Sequence, residues 1–213
     1  MPHERFRFKT LEDLMAKAEE LGLDLPTDTD LSPLAHRVRI GDKYTPNALA
    51  VHPMEGCDGT ADGKPDALTV RRYLRFARGG AGLLWFEATA ILQEGRANPR
   101  QLLLTPDNAS AFATLREQSL AAGREANGPE YQPFTVIQLT HSGRYSRPVD
   151  KPAPIIAHHD GLLDKVLNLP PDHPLITDEE LDRLQGCYVA AARLALECGF
   201  DAVDIKSCHR YLI

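Results

Sequence analysis

Residues 199–213 read GFDAVDIKSCHRYLI. A mostly apolar run from Phe200 to Ile205 stops at Lys206, and Cys208, His209 and Tyr211 follow at once. A short apolar segment entered through a glycine has the pattern of a strand buried on both faces, as parallel sheets require. The polar residues then crowd onto its C-terminal end. In barrels and open α/β sheets that edge is where sites are built.

Three more segments upstream repeat the pattern. NALAVHPME (47–55), GLLWFEATA (82–90) and PFTVIQLTHSGR (133–144) are apolar runs that end in polar side chains. Their polar ends are Glu55, Glu87 to Thr89, and His141 to Arg144. Helical patterns separate the strands, at about 66–78, at about 107–125 and from Thr177 to about Cys198. Thr177 and Glu180 form a capping box for the last helix, and Gly199 stops it. Strands alternating with helices predict parallel βαβ units.

Ahead of these units, TLEDLMAKAEELG (10–22) predicts a helix capped by Thr10 and Asp13 and ended by Gly22. LPTDTDLSP (25–33) reads as a surface connection, and HRVRIGDKYTPN (36–47) as a small hairpin around Gly41-Asp42. A long Pro- and His-rich loop is expected over 144–175, and His158-His159-Asp160 within it lacks the partners of a metal site. The expected division is a helical extension over 1–30 and one domain over 31–213.

Composition narrows the function. With 43% apolar and 25% charged residues the chain is of ordinary globular type, and a net charge of −6 argues against nucleic acid or an anionic membrane as main partner. No window approaches the roughly 20 apolar residues of a membrane span. MPHERFRFKT (1–10) lacks the apolar core of a secretory signal. Cys57, Cys187, Cys198 and Cys208 contain no CxxC pair. A reduced, cytoplasmic protein is expected.

The motifs HPMEG, WFEATAI followed by QEGR, VIQLTHSGR and GFDAVDIKSCHRYLI occur in the order of the Old Yellow Enzyme family, which the chain resembles over about residues 31–213. The resemblance implies a (β/α)8 TIM barrel, an FMN cofactor, NADH or NADPH as reductant, and hydride transfer to an activated alkene. It implies that His52, Pro53 and Met54 pass against the flavin, with Glu55 at its carbonyl edge where many members carry Thr or Cys. A carboxylate there would repel the anionic reduced flavin unless protonated or turned away. Ala88 corresponds to a small residue touching the ring. Gln138 corresponds to the amide on the pyrimidine end, able to donate and accept together.

In the last motif, Lys206 and His209 fall where members carry two donors for the substrate oxygen, and Tyr211 where a tyrosine supplies a proton. Lys206 replaces a usual His and Arg210 a common Gly. A lysine brings a full positive charge, which favours an acidic or strongly polarised substrate. For Lys206 and His209 to converge, the backbone has to turn at about Ser207 or Cys208. Each residue also has a plainer reading: Lys206 paired with Glu87 or Asp204 in the interior, His209 as a core histidine, Tyr211 as packing at the rim.

Two other functions stay open. Lys206 at a barrel strand end could form a Schiff base in an aldolase-type lyase. Alternatively the chain is a non-catalytic half-barrel. A (β/α)8 barrel needs about 250 residues, and four strands are read here. The expectation is the N-terminal half of a barrel, with Ile213 an implausible natural end. The missing half, or a second copy in a homo-oligomer, is then the expected protein partner, beside a small-molecule substrate.

Overall fold

The structure, a computed structural model, describes residues 5–213 and divides into two units, one ending at Pro33 and the other spanning Leu34–Ile213. Met1 to Glu4, the start of the charged N-terminal stretch, lie outside the described residues.

In the first unit, α1 (Leu11–Glu20) begins where the Thr10 hydroxyl accepts from the Asp13 N–H at 3.1 Å. It ends at Gly22, whose φ of +64° suits a residue without a Cβ. The connection after it is more ordered than expected. Asp28 and Asp30 each accept from a backbone N–H two residues on, and these turns lead into a one-turn helix, α2 (Ser32–Ala35).

The second unit opens with the hairpin, β1 (Arg39–Ile40) against antiparallel β2 (Lys43–Tyr44), its turn at Gly41-Asp42. Lys43 pairs with Asp201, and Asp201 also accepts from the N–H (2.8 Å) and hydroxyl (2.7 Å) of Thr135. One carboxylate thus ties the hairpin to the starts of two sheet strands.

The sheet has four parallel strands in sequence order: β3 (Ala50–Val51), β4 (Leu83–Ala90), β5 (Phe134–Thr140) and β6 (Ala202–Ile205). The crossovers run through α3 (Ala67–Arg78), α4 (Ala109–Asn127) and, before β6, α6 (Asp178–Glu197). The capping box on α6 is complete, with Thr177 and Glu180 each accepting from the other's backbone N–H. Every residue of β5 is buried, which explains its unbroken apolar run. Against β4 the core is aromatic: Tyr73 stacks on Phe86 at 4.2 Å, and Phe200 meets Phe86 edge-on at 5.0 Å.

Two expectations need correction. The first sheet strand is two residues long rather than a run to Glu55, because Pro53 has no N–H to continue the ladder. The loop after β5 carries a helix, α5 (Gly161–Leu167), capped by Asp160, whose carboxylate accepts from the Leu162 and Leu163 N–H groups.

The pairing of β4 with β5 slips once. Phe86 pairs with Ile137 and Thr89 with Leu139, so Glu87 and Ala88 together face the single residue Gln138. That bulge bends the ladder at the C-terminal edge.

Candidate functional site

The lip of the sheet is built from the ends of all four strands. After β6, Lys206 keeps one more ladder bond, its N–H donating to the Leu139 carbonyl at 3.0 Å. The chain then reverses over Cys208 to Tyr211, where the Tyr211 N–H donates to the Cys208 carbonyl. The two central residues, His209 and Arg210, have φ of +58° and +59°. The reversal therefore lies one to two residues beyond Ser207–Cys208. The left-handed backbone gives a physical reason for a glycine at position 210.

The turn folds Tyr211 back over Lys206. The Lys206 ammonium sits 4.4 Å from the Tyr211 ring centroid and 3.0 Å from Glu55 Oε1. Lys206 is buried and Glu55 largely so, with side chains 5% and 17% exposed. Lys206 is thus paired, but with Glu55 rather than with Glu87 or Asp204. The pair also answers how a carboxylate can stand at position 55: its charge is met by an ammonium. It equally removes the reason to favour an acidic substrate, since Lys206 does not offer an uncompensated charge. Tyr211 is half-buried, and burial with the nearby Glu55 pushes its phenol up to about 12. His209 stays exposed, its ring 6.2 Å from that of Tyr211. The structure brings Lys206, Tyr211 and Glu55 together and leaves His209 on the outer side of Tyr211.

Gln138 is buried on β5 and donates from Nε2 to Asp204 Oδ2 at 2.6 Å, across the pair Gln138↔Asp204. The strut fixes the amide and leaves its carbonyl oxygen and a second hydrogen for a ligand. Ala88 is fully buried, and its carbonyl accepts from Gln101 Nε2 at 3.1 Å. The same Gln101 nitrogen lies 3.4 Å from Glu55 Oε2. Pro53 is partly covered, and His52 and Met54 are open, Met54 with 72% of its surface exposed.

Beneath the lip runs a charge network that sequence reading missed. Glu87, 1% exposed, accepts from the Gly56 N–H at 2.9 Å and from Arg72, which also holds Asp58 at 2.6 Å. Burial raises the Glu87 pKa against the opposing pull of the Gly56 N–H and Arg72. A Cβ on Gly56 would come within 2.1 Å of the Arg72 guanidinium, so a larger residue there would have to displace that guanidinium from its carboxylate partners. Nothing local in RRYLRF marks Arg72, on α3, as the partner of a residue on β4.

His141 and Arg144 stand on the loop after β5. Burial holds the His141 imidazole below the usual histidine range, and its Nδ1 accepts from the Gly143 N–H at 3.2 Å. Arg144 anchors α5 through Asp164 at 2.8 Å and the His158 carbonyl at 3.0 Å. His159 pairs with the same Asp164. The His158-His159-Asp160 stretch thus builds a helix start.

The sequence profile of the NADH:flavin oxidoreductase / NADH oxidase family matches residues 34–213. Among curated proteins, an NADPH dehydrogenase of Bacillus pumilus is 32% identical over 71% of this chain and 41% of its own length. One of Listeria monocytogenes is 30% identical over 86% of this chain and 50% of its own length. The chain spans about half the length, or somewhat less, of these relatives. Among solved structures, an Old Yellow Enzyme from Pichia sp. AKU4542 matches with TM-score 0.69 and 22% identity, over 84% of this chain and 47% of that one. Morphinone reductase in complex with tetrahydroNAD matches with TM-score 0.65 and 22% identity, over 84% and 50%. At these identities the structural likeness concerns the fold: the four strands and their helices form part of a (β/α)8 barrel.

Proposed function

The chain belongs to the NADH:flavin oxidoreductase / NADH oxidase family, and on that premise we propose that it forms part of an FMN-dependent oxidoreductase that uses NADH or NADPH to reduce an activated, enone-like alkene. The observation that carries this reading is the cluster of Lys206, Tyr211 and Glu55 at the strand lip. The residues fit the ring end of FMN. Gln138 keeps an acceptor and a donor for a pyrimidine edge, and Met54 leaves apolar surface for a flat ring to cover. The phosphate end falls to later strands, where barrels generally hold phosphate.

Bound FMN supplies the hydride for the alkene's β-carbon. Negative charge then builds on the substrate oxygen, and Lys206 is the donor assigned to it; His209, exposed beside Tyr211, would have to turn inward to share that role. Lys206 gives one N–H to Glu55 and has others left for that oxygen. Tyr211 delivers a proton to the α-carbon as general acid. Its raised pKa keeps the phenol protonated for that role. An ion-paired ammonium has no lone pair, so the geometry does not favour the Schiff-base alternative. The edge strands β3 and β6 are assigned to the remaining strands of the barrel, or to a second copy.

The test is enone reduction by the full-length protein and its Tyr211→Phe and Lys206→Ala variants. Loss of turnover in the first and a clear fall in the second are expected. Unchanged rates in both would remove the assignment.

A further inference from the structure

We propose that Glu55 is a specificity-determining, positioning residue: by neutralising Lys206 it makes the site accept an uncharged acceptor group and reject a carboxylate at the same place. The inference rests on the reading of the lip as a substrate site.

The geometry argues it directly. Glu55 lies just beyond β3 and Lys206 just beyond β6, opposite ends of the sheet order and 151 residues apart in the chain. They nevertheless meet at 3.0 Å with little solvent access. The ammonium is bounded on another side by the Tyr211 ring at 4.4 Å. Glu55 is itself held from behind, with Gln101 Nε2 3.4 Å from its second oxygen. A ligand oxygen reaching the free N–H groups of Lys206 therefore arrives beside a fixed carboxylate. A neutral carbonyl oxygen can share the ammonium with Glu55. A substrate carboxylate would place two anions around one cation in a poorly hydrated site, a like-charge contact of the kind that excludes wrong ligands. Without the Glu55 charge, the same ammonium becomes an attractive anion site.

The experiment compares equilibrium binding of trans-cinnamate and trans-cinnamamide, a carboxylate and a neutral amide of matched shape, to the oxidised full-length protein by calorimetry. The wild type is expected to bind the amide more tightly. Glu55→Gln is expected to move the amide-to-acid affinity ratio toward the acid by about tenfold or more, given the usual size of like-charge effects. Glu55→Asp, which keeps the charge, should retain the wild-type ratio. Because Glu55→Gln leaves Lys206 without its partner, the double replacement Glu55→Gln/Lys206→Gln serves as a charge-free counterpart and should leave the ratio closer to that of the wild type than Glu55→Gln does. A wild type that binds the acid as well as the amide, a ratio unmoved by Glu55→Gln, or no binding of either compound would overturn the proposal. Enone reduction by the wild type is scored separately. Reduction with an unmoved ratio defeats this inference alone, and a moved ratio without reduction defeats the assigned reaction alone.

Discussion

Gln138 and Asp204 face each other across neighbouring parallel strands, and a 2.6 Å hydrogen bond joins them at the edge where the site lies. On the other side of Gln138, the bulge sets Glu87 and Ala88 against it. The amide is therefore tied on the Asp204 flank before any ligand arrives.

Asp204→Leu should loosen that amide without emptying the core, since Asp204 is only partly buried. Flavin retention is expected to fall by about 1.5–3 kcal/mol of binding free energy, the usual worth of a charged hydrogen bond. The flavin-to-protein ratio after dialysis measures it, and an unchanged ratio would mean that the strut does not orient the amide.

Arg72 is the costliest single replacement in the network. Arg72→Met strands the buried Glu87 carboxylate and should destabilise the fold by about 3–5 kcal/mol, as for a broken buried ion pair. The double variant Arg72→Met/Glu87→Gln should recover much of that loss in denaturant unfolding. Additive losses would show that the two residues are not coupled.

At position 210 a gain is expected. Arg210 sits at φ +59°, where a side chain other than glycine's is strained. Arg210→Gly should stabilise by about 1 kcal/mol, the usual cost of left-handed backbone less the entropy that glycine adds to the unfolded chain. Thermal unfolding reads it, and a lower Tm would contradict the turn.

The Tyr211 phenol, raised by burial and by Glu55 to about 12, should stay neutral throughout the ordinary working range. The protonated form is the donor, and it persists below the folded pKa, so an upward shift widens the range of donor competence toward alkali. Difference absorbance titration of the protein against Tyr211→Phe should show this tyrosine ionising near pH 12. Glu55→Gln should bring it down. Ionisation near the ordinary value of 10.0 would contradict the geometry.

Much of this architecture was legible in the sequence because it is local. β5 shows as an unbroken apolar run since both its faces are covered, and α6 shows through Thr177, Glu180 and Gly199, which act within a few residues of themselves. α5 escaped because its seven residues sit between Pro-rich stretches and are anchored by Arg144, twenty positions upstream. β3 was read too long because Pro53 ends a ladder without ending an apolar pattern. The strand-end position of Lys206 and Tyr211 was readable from the point where their run turns polar, whereas Gln138, inside β5, was indicated only by the family resemblance. Their partners were not. Glu55 reaches Lys206 and Asp204 reaches Gln138 across the sheet, as Arg72 reaches Glu87 from α3, and spacing along the chain carries no information about such distances. The turn at His209-Arg210 is similarly hidden, since neither residue type announces a left-handed backbone.

The central claim is that this lip serves a flavin-dependent reduction with Tyr211 as proton donor. Its most direct test is an anaerobic reductive titration of the purified full-length protein, following the visible flavin absorbance. The account predicts bleaching by NADH or NADPH, recovery on addition of cyclohexenone, and a recovery slowed about 10²–10⁴-fold in Tyr211→Phe, the usual contribution of a general acid. Flavin that is not bleached by either nucleotide, or a recovery equally fast in Tyr211→Phe, would contradict it.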